Sequence, residues 1–117
     1  MEEGIVFPDL TRLFSPRSVV LVGASGREGT IGRIALDNIV QHSAFEGDLY
    51  LVNATRPSID GHKAYPSVSA LPGSGFDVAL IVVPAPQVIE VLEACAEKRI
   101  RFAIVITSGF AELGPAG

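Results

Sequence analysis

Val19-Val20-Leu21-Val22 runs without a break into Gly23-Ala24-Ser25-Gly26-Arg27-Glu28-Gly29-Thr30-Ile31-Gly32. A buried apolar strand that stops at glycine and restarts as a helix aims free backbone N–H groups, and the positive end of the helix dipole, at one spot outside the sheet. An anionic ligand fits there. The spacing is G-x-S-x-x-x-G-x-x-G, not the G-x-G-x-x-G of the dinucleotide fingerprint, so the ligand need not be a nicotinamide cofactor. A second pattern is Val83-Pro84-Ala85-Pro86, where two prolines fix φ and remove two donors, making a rigid apolar ledge on which a flat ring can lie. Other chemistries find little support. Ser25 lacks the second glycine of a G-x-S-x-G nucleophile elbow. His42 ends a helical pattern and His62 follows Gly61 in a polar loop, so both read as solvated surface residues. Cys95 repeats on one face with Val88 and Leu92 and reads as a small buried hydrophobe. Two histidines and one cysteine at unrelated spacings make no metal-ligand set, and no catalytic residue is expected.

The elements that must position these residues follow from apolar runs of four to seven residues alternating with helical periodicity, the pattern of buried parallel strands and crossover helices. Parallel strands are expected at 18–22, 49–52, 77–83 and 103–107, with a short edge strand near 63–65. Helices are expected over 30–42, with Ile31, Ala35 and Ile39 on one stripe and Gly32 against the sheet, and over 86–98, with a short helical turn at 67–71. Loops fall at 46–48, 54–61 and 72–75. Right-handed crossovers wind such a series into a Rossmann-like α/β fold, a doubly wound parallel sheet of about five strands in the order 3-2-1-4-5. The first and fourth strands are then neighbours where the winding reverses. A ligand crevice is expected beyond their carboxyl ends, where both the glycine loop and the Pro-x-Pro ledge lie.

Composition narrows the class. A chain of 117 residues, 48% hydrophobic and 19% charged, suits one compact domain spanning its length. A net charge of −4 without a run of Lys or Arg leaves no electrostatic footprint for nucleic acid. The longest apolar runs are far short of the ~20 residues that span a bilayer, so no membrane partner is expected. One cysteine makes no internal disulfide, and Glu2 and Glu3 stand where a secretory signal would be basic, so a cytoplasmic setting is expected.

The ordered series Leu13-Phe14-Ser15-Pro16-Arg17-Ser18 through Gly23-Ala24-Ser25, then Val52-Asn53, Lys63-Ala64-Tyr65-Pro66-Ser67, Val82-Val83-Pro84-Ala85-Pro86 and Ser108-Gly109-Phe110-Ala111-Glu112 resembles the N-terminal CoA-binding domain of NDP-forming acyl-CoA synthetases. The same domain occurs in the succinyl-CoA synthetase alpha subunit and in some protein acetyltransferases. The resemblance implies that Gly23, Ala24 and Ser25 hold the phosphates of coenzyme A through backbone N–H groups and the Ser25 hydroxyl, with Arg27 adding charge; Gly29 is a binding candidate from the glycine-rich loop itself. It implies that Val83, Pro84, Ala85 and Pro86 line the crevice near the adenine, and that Ser108 and Gly109 border the pantetheine arm. Where the family commonly shows Asn-Pro-Lys, this chain has Asn53-Ala54-Thr55-Arg56; the lysine position is Thr55, and Arg56 is the available replacement for its phosphate contact. In such synthetases an acyl phosphate forms first, a histidine of a following domain takes the phosphoryl group, and an ATP-grasp domain binds nucleotide. Those domains are the implied partners, in the same or another chain, beside CoA or acyl-CoA itself. This chain alone is expected to bind CoA and turn nothing over, as a fragment or module whose Gly- and Pro-rich end reads as a linker.

Asn53 separates ligand classes. NAD-binding sheets usually end the second strand in Asp or Glu, which accepts hydrogen bonds from ribose hydroxyls, whereas an uncharged Asn with Arg56 nearby suits a phosphorylated ribose. That feature favours CoA or NADP over NAD, and the motif combination favours CoA over NADP. The alternative classes are an NAD(P)-binding or redox-sensing Rossmann domain and an interaction module with a vestigial pocket.

Overall fold

The computed structural model describes residues 9–41 and 43–106. Six strands form one sheet: β1 (Ser18–Val22), β2 (Asp48–Val52), β3 (Ser58–Ile59), β4 (His62–Tyr65), β5 (Val78–Ile81) and β6 (Phe102–Val105), in the order β3-β4-β2-β1-β5-β6. The helices are a four-residue α1 (Thr11–Phe14), α2 (Ile31–Gln41) and α3 (Val88–Glu97), with single 3₁₀ turns at Val68–Ala70 and Ala85–Gln87. Without β3 the order is the expected 3-2-1-4-5, and β1 pairs in parallel with both β2 and β5 at the point where winding reverses. β3 is the difference. The stretch expected as a loop over 54–61 folds back antiparallel on β4 through Asp60 and Gly61, both at positive φ, which is the backbone of a two-residue hairpin.

β1 is apolar from Val19 to Val22 because both of its faces are covered. Val20 and Val22 point into a core with Val52, Phe76, Ala79, Ile81 and Cys95, on the α3 side. Leu21 points the other way, into a core with Ala24, Ala35, Leu36, Leu51 and Ala64, on the α2 side. The inward stripe of α2 is Gly32, Ala35 and Leu36 with Ile39 packed beside them, whereas Ile31, expected on that stripe, is exposed. On α3, Cys95 is buried as expected, and burial pushes its thiol pKa up. β5 is assigned shorter than expected, although the Val82 N–H still donates to the Val22 carbonyl at 2.8 Å before the chain reaches Pro84. β6 forms as expected, with Thr107 and His42 outside the described residues, yet Ile104, Val105 and Ile106 are exposed along this edge. No helix among the described residues is long and apolar enough to cross a membrane.

The amino end of the sheet is tied by one buried carboxylate. Asp77 accepts the Arg17 N–H at 2.8 Å, and its own N–H donates to the Ser18 hydroxyl at 2.9 Å. Replacing it removes a charged acceptor and leaves a backbone N–H without its partner. Asp77→Ala should therefore lower unfolding free energy by about 2 kcal/mol, measured by urea titration.

At the other end, Gly23 adopts φ +96, and a Cβ there would stand 2.0 Å from the Val82 carbonyl oxygen. Gly29 has φ +86 but open space around the added atom. Gly29→Ala should cost about 1 kcal/mol of backbone strain. Gly23→Ala adds a backbone collision to the same strain, so it should cost at least twice as much or abolish folding. Equal midpoint shifts for the two variants would contradict this assignment.

Candidate functional site

Beyond the carboxyl ends of β1 and β2 lies a crevice of about 560 Å³. One wall is Val22 to Ser25, Val52 and Asn53; another is Pro66 to Ser69; the third is the flank of α3. The crevice expected beyond the carboxyl ends of β1 and β5 lies instead over those of β1 and β2, and no residue of β5, nor Val82 or Val83 after it, lines it.

Hydrogen bonds in the loop after β1 commit some of its donors to the fold and leave others without a partner among the described residues. The N–H groups of Gly23 and Ala24 both donate to the Val52 carbonyl, at 3.0 and 3.2 Å. The two groups, expected as phosphate donors, are engaged here in extending the β1–β2 pairing by one step. The N–H groups of Ser25 and Gly26 have no partner among the described residues. The Ser25 hydroxyl oxygen accepts the Arg27 N–H at 3.0 Å, which leaves the hydroxyl proton available to donate. Thr30 caps α2: its hydroxyl accepts the Arg33 N–H at 3.2 Å and donates to the Arg27 carbonyl at 2.8 Å. Arg33 in turn pairs with Asp37 and, at 2.6 Å, with Asp60 in the hairpin turn. The glycine loop and the β3–β4 hairpin are thus fastened to the same helix.

Asn53 is engaged at both ends of its side chain. Its Nδ2 donates to the Ala24 carbonyl at 2.9 Å, and its Oδ1 accepts the N–H groups of Thr55 and Arg56, each at 2.8 Å. Arg27 and Arg56 are exposed, and neither pairs with a carboxylate among the described residues.

Of the residues expected to form the site, Gly23, Ala24, Ser25 and Asn53 line the crevice together. Arg27, Gly29 and Arg56 do not line it, and belong to the loops that follow β1 and β2. The segment Val83-Pro84-Ala85-Pro86, expected as its wall, does not line it either. Val83 packs into the core on the α3 side, and Pro84 leads into the 3₁₀ turn, where the Gln87 N–H donates to its carbonyl. Ser108 and Gly109 lie outside the described residues.

What replaces the proline wall is α3 with its preceding turn, which contributes Gln87, Glu90, Val91, Glu93, Ala94 and Glu97. The glutamates were legible as a face, at i, i+3 and i+7, but periodicity alone does not say that the face borders a ligand crevice. Pro66 and Ser67 carried a sequence signal that was not assigned to the site. Among the described residues no group of three His, Cys, Asp or Glu is placed to hold a metal ion.

Comparison with known proteins agrees with this fold. A family model described as CoA binding domain matches residues 17–112. The alpha subunit of an ADP-forming acetate–CoA ligase of Pyrococcus furiosus is 40% identical over 112 residues, covering 92% of this chain and 24% of the ligase subunit. A trans-feruloyl-CoA synthase from an unknown prokaryotic organism is 38% identical over 108 residues, covering 92% of this chain and 15% of the synthase. Among solved structures, the dinucleotide-forming acetyl-coenzyme A synthetase 1 of Ca. Korarchaeum cryptofilum, in complex with phosphate and ADP, superposes with a TM-score of 0.81 at 42% identity. That match covers 91% of this chain and 22% of the synthetase. The chain spans less than a quarter of the length of these relatives. With the family model matching most of its length and the same sheet recurring in its relatives, this chain belongs to the CoA-binding domain family found in NDP-forming acyl-CoA synthetases.

Proposed function

We propose that the chain binds coenzyme A, as a substrate, in the crevice at the carboxyl ends of β1 and β2, and presents its thiol to an acyl phosphate held by another domain. In that reaction the thiol sulfur bonds to the acyl carbon, the bond from that carbon to the phosphate oxygen breaks, and phosphate leaves carrying the thiol proton. Phosphohistidine and ATP-grasp domains, in the same or a partner chain, would supply the acyl phosphate. A cytoplasmic setting accords with the lone buried cysteine.

The observation that carries the reading is the crevice itself, bordered by the Gly23–Ser25 turn within the segment that matches the family model. Charge orients the ligand. Glu90, Glu93 and Glu97 line the α3 wall, so phosphates are repelled from it and directed toward the free donors of Ser25 and Gly26 and the charges of Arg27 and Arg56. The uncharged part of the ligand then runs along α3. Relatives named for acetate and for ferulate match this chain alike, which fits a domain that contacts the CoA portion and leaves acyl choice to others.

Titration calorimetry with CoA, dephospho-CoA, NAD and NADP tests the reading. Saturable CoA binding is expected, about tenfold weaker without the 3′-phosphate, since one charge-assisted contact is lost. Binding of NADP with silence toward CoA, or silence toward all four ligands, would overturn it. Neutralising the wall in Glu90→Gln/Glu93→Gln should tighten CoA about threefold at low salt, with the gain fading as salt rises. Weaker binding in that variant would instead mean that the glutamates accept hydrogen bonds from the ligand.

A further inference from the structure

Asn53 directly follows β2, the place where nucleotide-binding sheets usually put the side chain that reads a ribose. Its amide is spent elsewhere. The orientation is fixed by its partners, because backbone N–H groups only donate and the Ala24 carbonyl only accepts. Oδ1 takes the Thr55 N–H, the Arg56 N–H and, at 3.1 Å, the Thr55 hydroxyl, while Nδ2 reaches the Ala24 carbonyl. One side chain therefore bridges the loop after β1 and the loop after β2.

The geometry points to Asn53 as a positioning residue: it holds the Arg56 backbone in register with the Ser25 turn, so that both loops meet one phosphate-bearing ligand, and it touches no ribose itself. This rests on the CoA reading above. The bridge also gives a physical sense to an uncharged residue here. Aspartate would keep the acceptor for Thr55 and Arg56 but would set an oxygen against the Ala24 carbonyl, and so would cut one loop from the other.

The test is titration of CoA and dephospho-CoA into the full chain carrying Asn53→Asp, Arg56→Ala or both, together with ligand-free amide hydrogen exchange of the unsubstituted chain and Asn53→Ala. The unsubstituted chain should prefer CoA about tenfold. Arg56→Ala and Asn53→Asp should each reduce that preference severalfold, and the double variant should reduce it no further than Arg56→Ala. Exchange at Thr55 and Arg56 should quicken about tenfold in Asn53→Ala. Should that variant fail to fold, Asn53→Ser keeps an acceptor for the same N–H groups and should quicken exchange less.

Three binding outcomes overturn the inference. Both ligands weaken equally in Asn53→Asp, as a merely structural residue would produce; the two losses add, as a direct ligand contact would produce; or CoA binds with no preference for its 3′-phosphate. Failure of the unsubstituted chain to bind CoA sinks the functional reading instead. The positioning role is then decided by exchange alone, where unchanged rates at Thr55 and Arg56 overturn it and faster rates uphold the loop bridge.

Discussion

At the carboxyl end of β1 three stretches of backbone approach more closely than any side chain permits. A methyl group on Gly23 would meet the Val82 carbonyl, and one on Gly32 would stand 2.1 Å from the carbonyl of Gly23 itself. Through these two contacts the end of β5, the turn after β1 and the first turn of α2 are stacked against one another. The Val52 carbonyl adds β2 by accepting two N–H groups from the same turn. The wall of the crevice formed by the Ser25 turn and Asn53 hangs from this junction. Gly23 and Gly32 therefore serve close packing first.

The order of the sheet was legible because it depends on features a sequence states openly. Apolar runs mark doubly covered strands, and the handedness of crossovers leaves few ways to wind them. β3 was hidden for the opposite reason. Its two residues carry no alternation, and their pairing is set by Asp60 and Gly61, whose positive φ values reveal a hairpin only once the backbone is known. Ile31 misled in a similar way. Helical periodicity placed it on the inward stripe, but the first turn of α2 meets the sheet through Gly32, and that close approach rotates Ile31 toward solvent.

The site was legible where it coincides with the turn after β1, and much less so where it depends on a distant wall. Gly23, Ala24, Ser25 and Asn53 gather as their places at strand ends require. The proline segment follows β5 directly, as a wall of the crevice would, yet prolines that stop a strand also steer the chain away, and the wall passes to the helix beyond. Hydrogen-bond ownership was not legible at all. Nothing in the residue types says that Gly23 and Ala24 give their N–H groups to Val52, or that the Asn53 amide is consumed by two loops.

The lining of the crevice runs from Val22 to Glu97, and its walls adjoin strands joined only through long crossovers. No local segment holds enough of it to form a partial site, so the crevice comes into being only when the non-local pairings of β1 with β2 and β5 are complete. Occupancy and folding are consequently coupled across the whole sheet. A ligand seated there at a hundredfold excess over its dissociation constant would add about 2.7 kcal/mol to global stability. In a cell the supply of ligand would then govern how long the chain survives against proteases as well as how often it works.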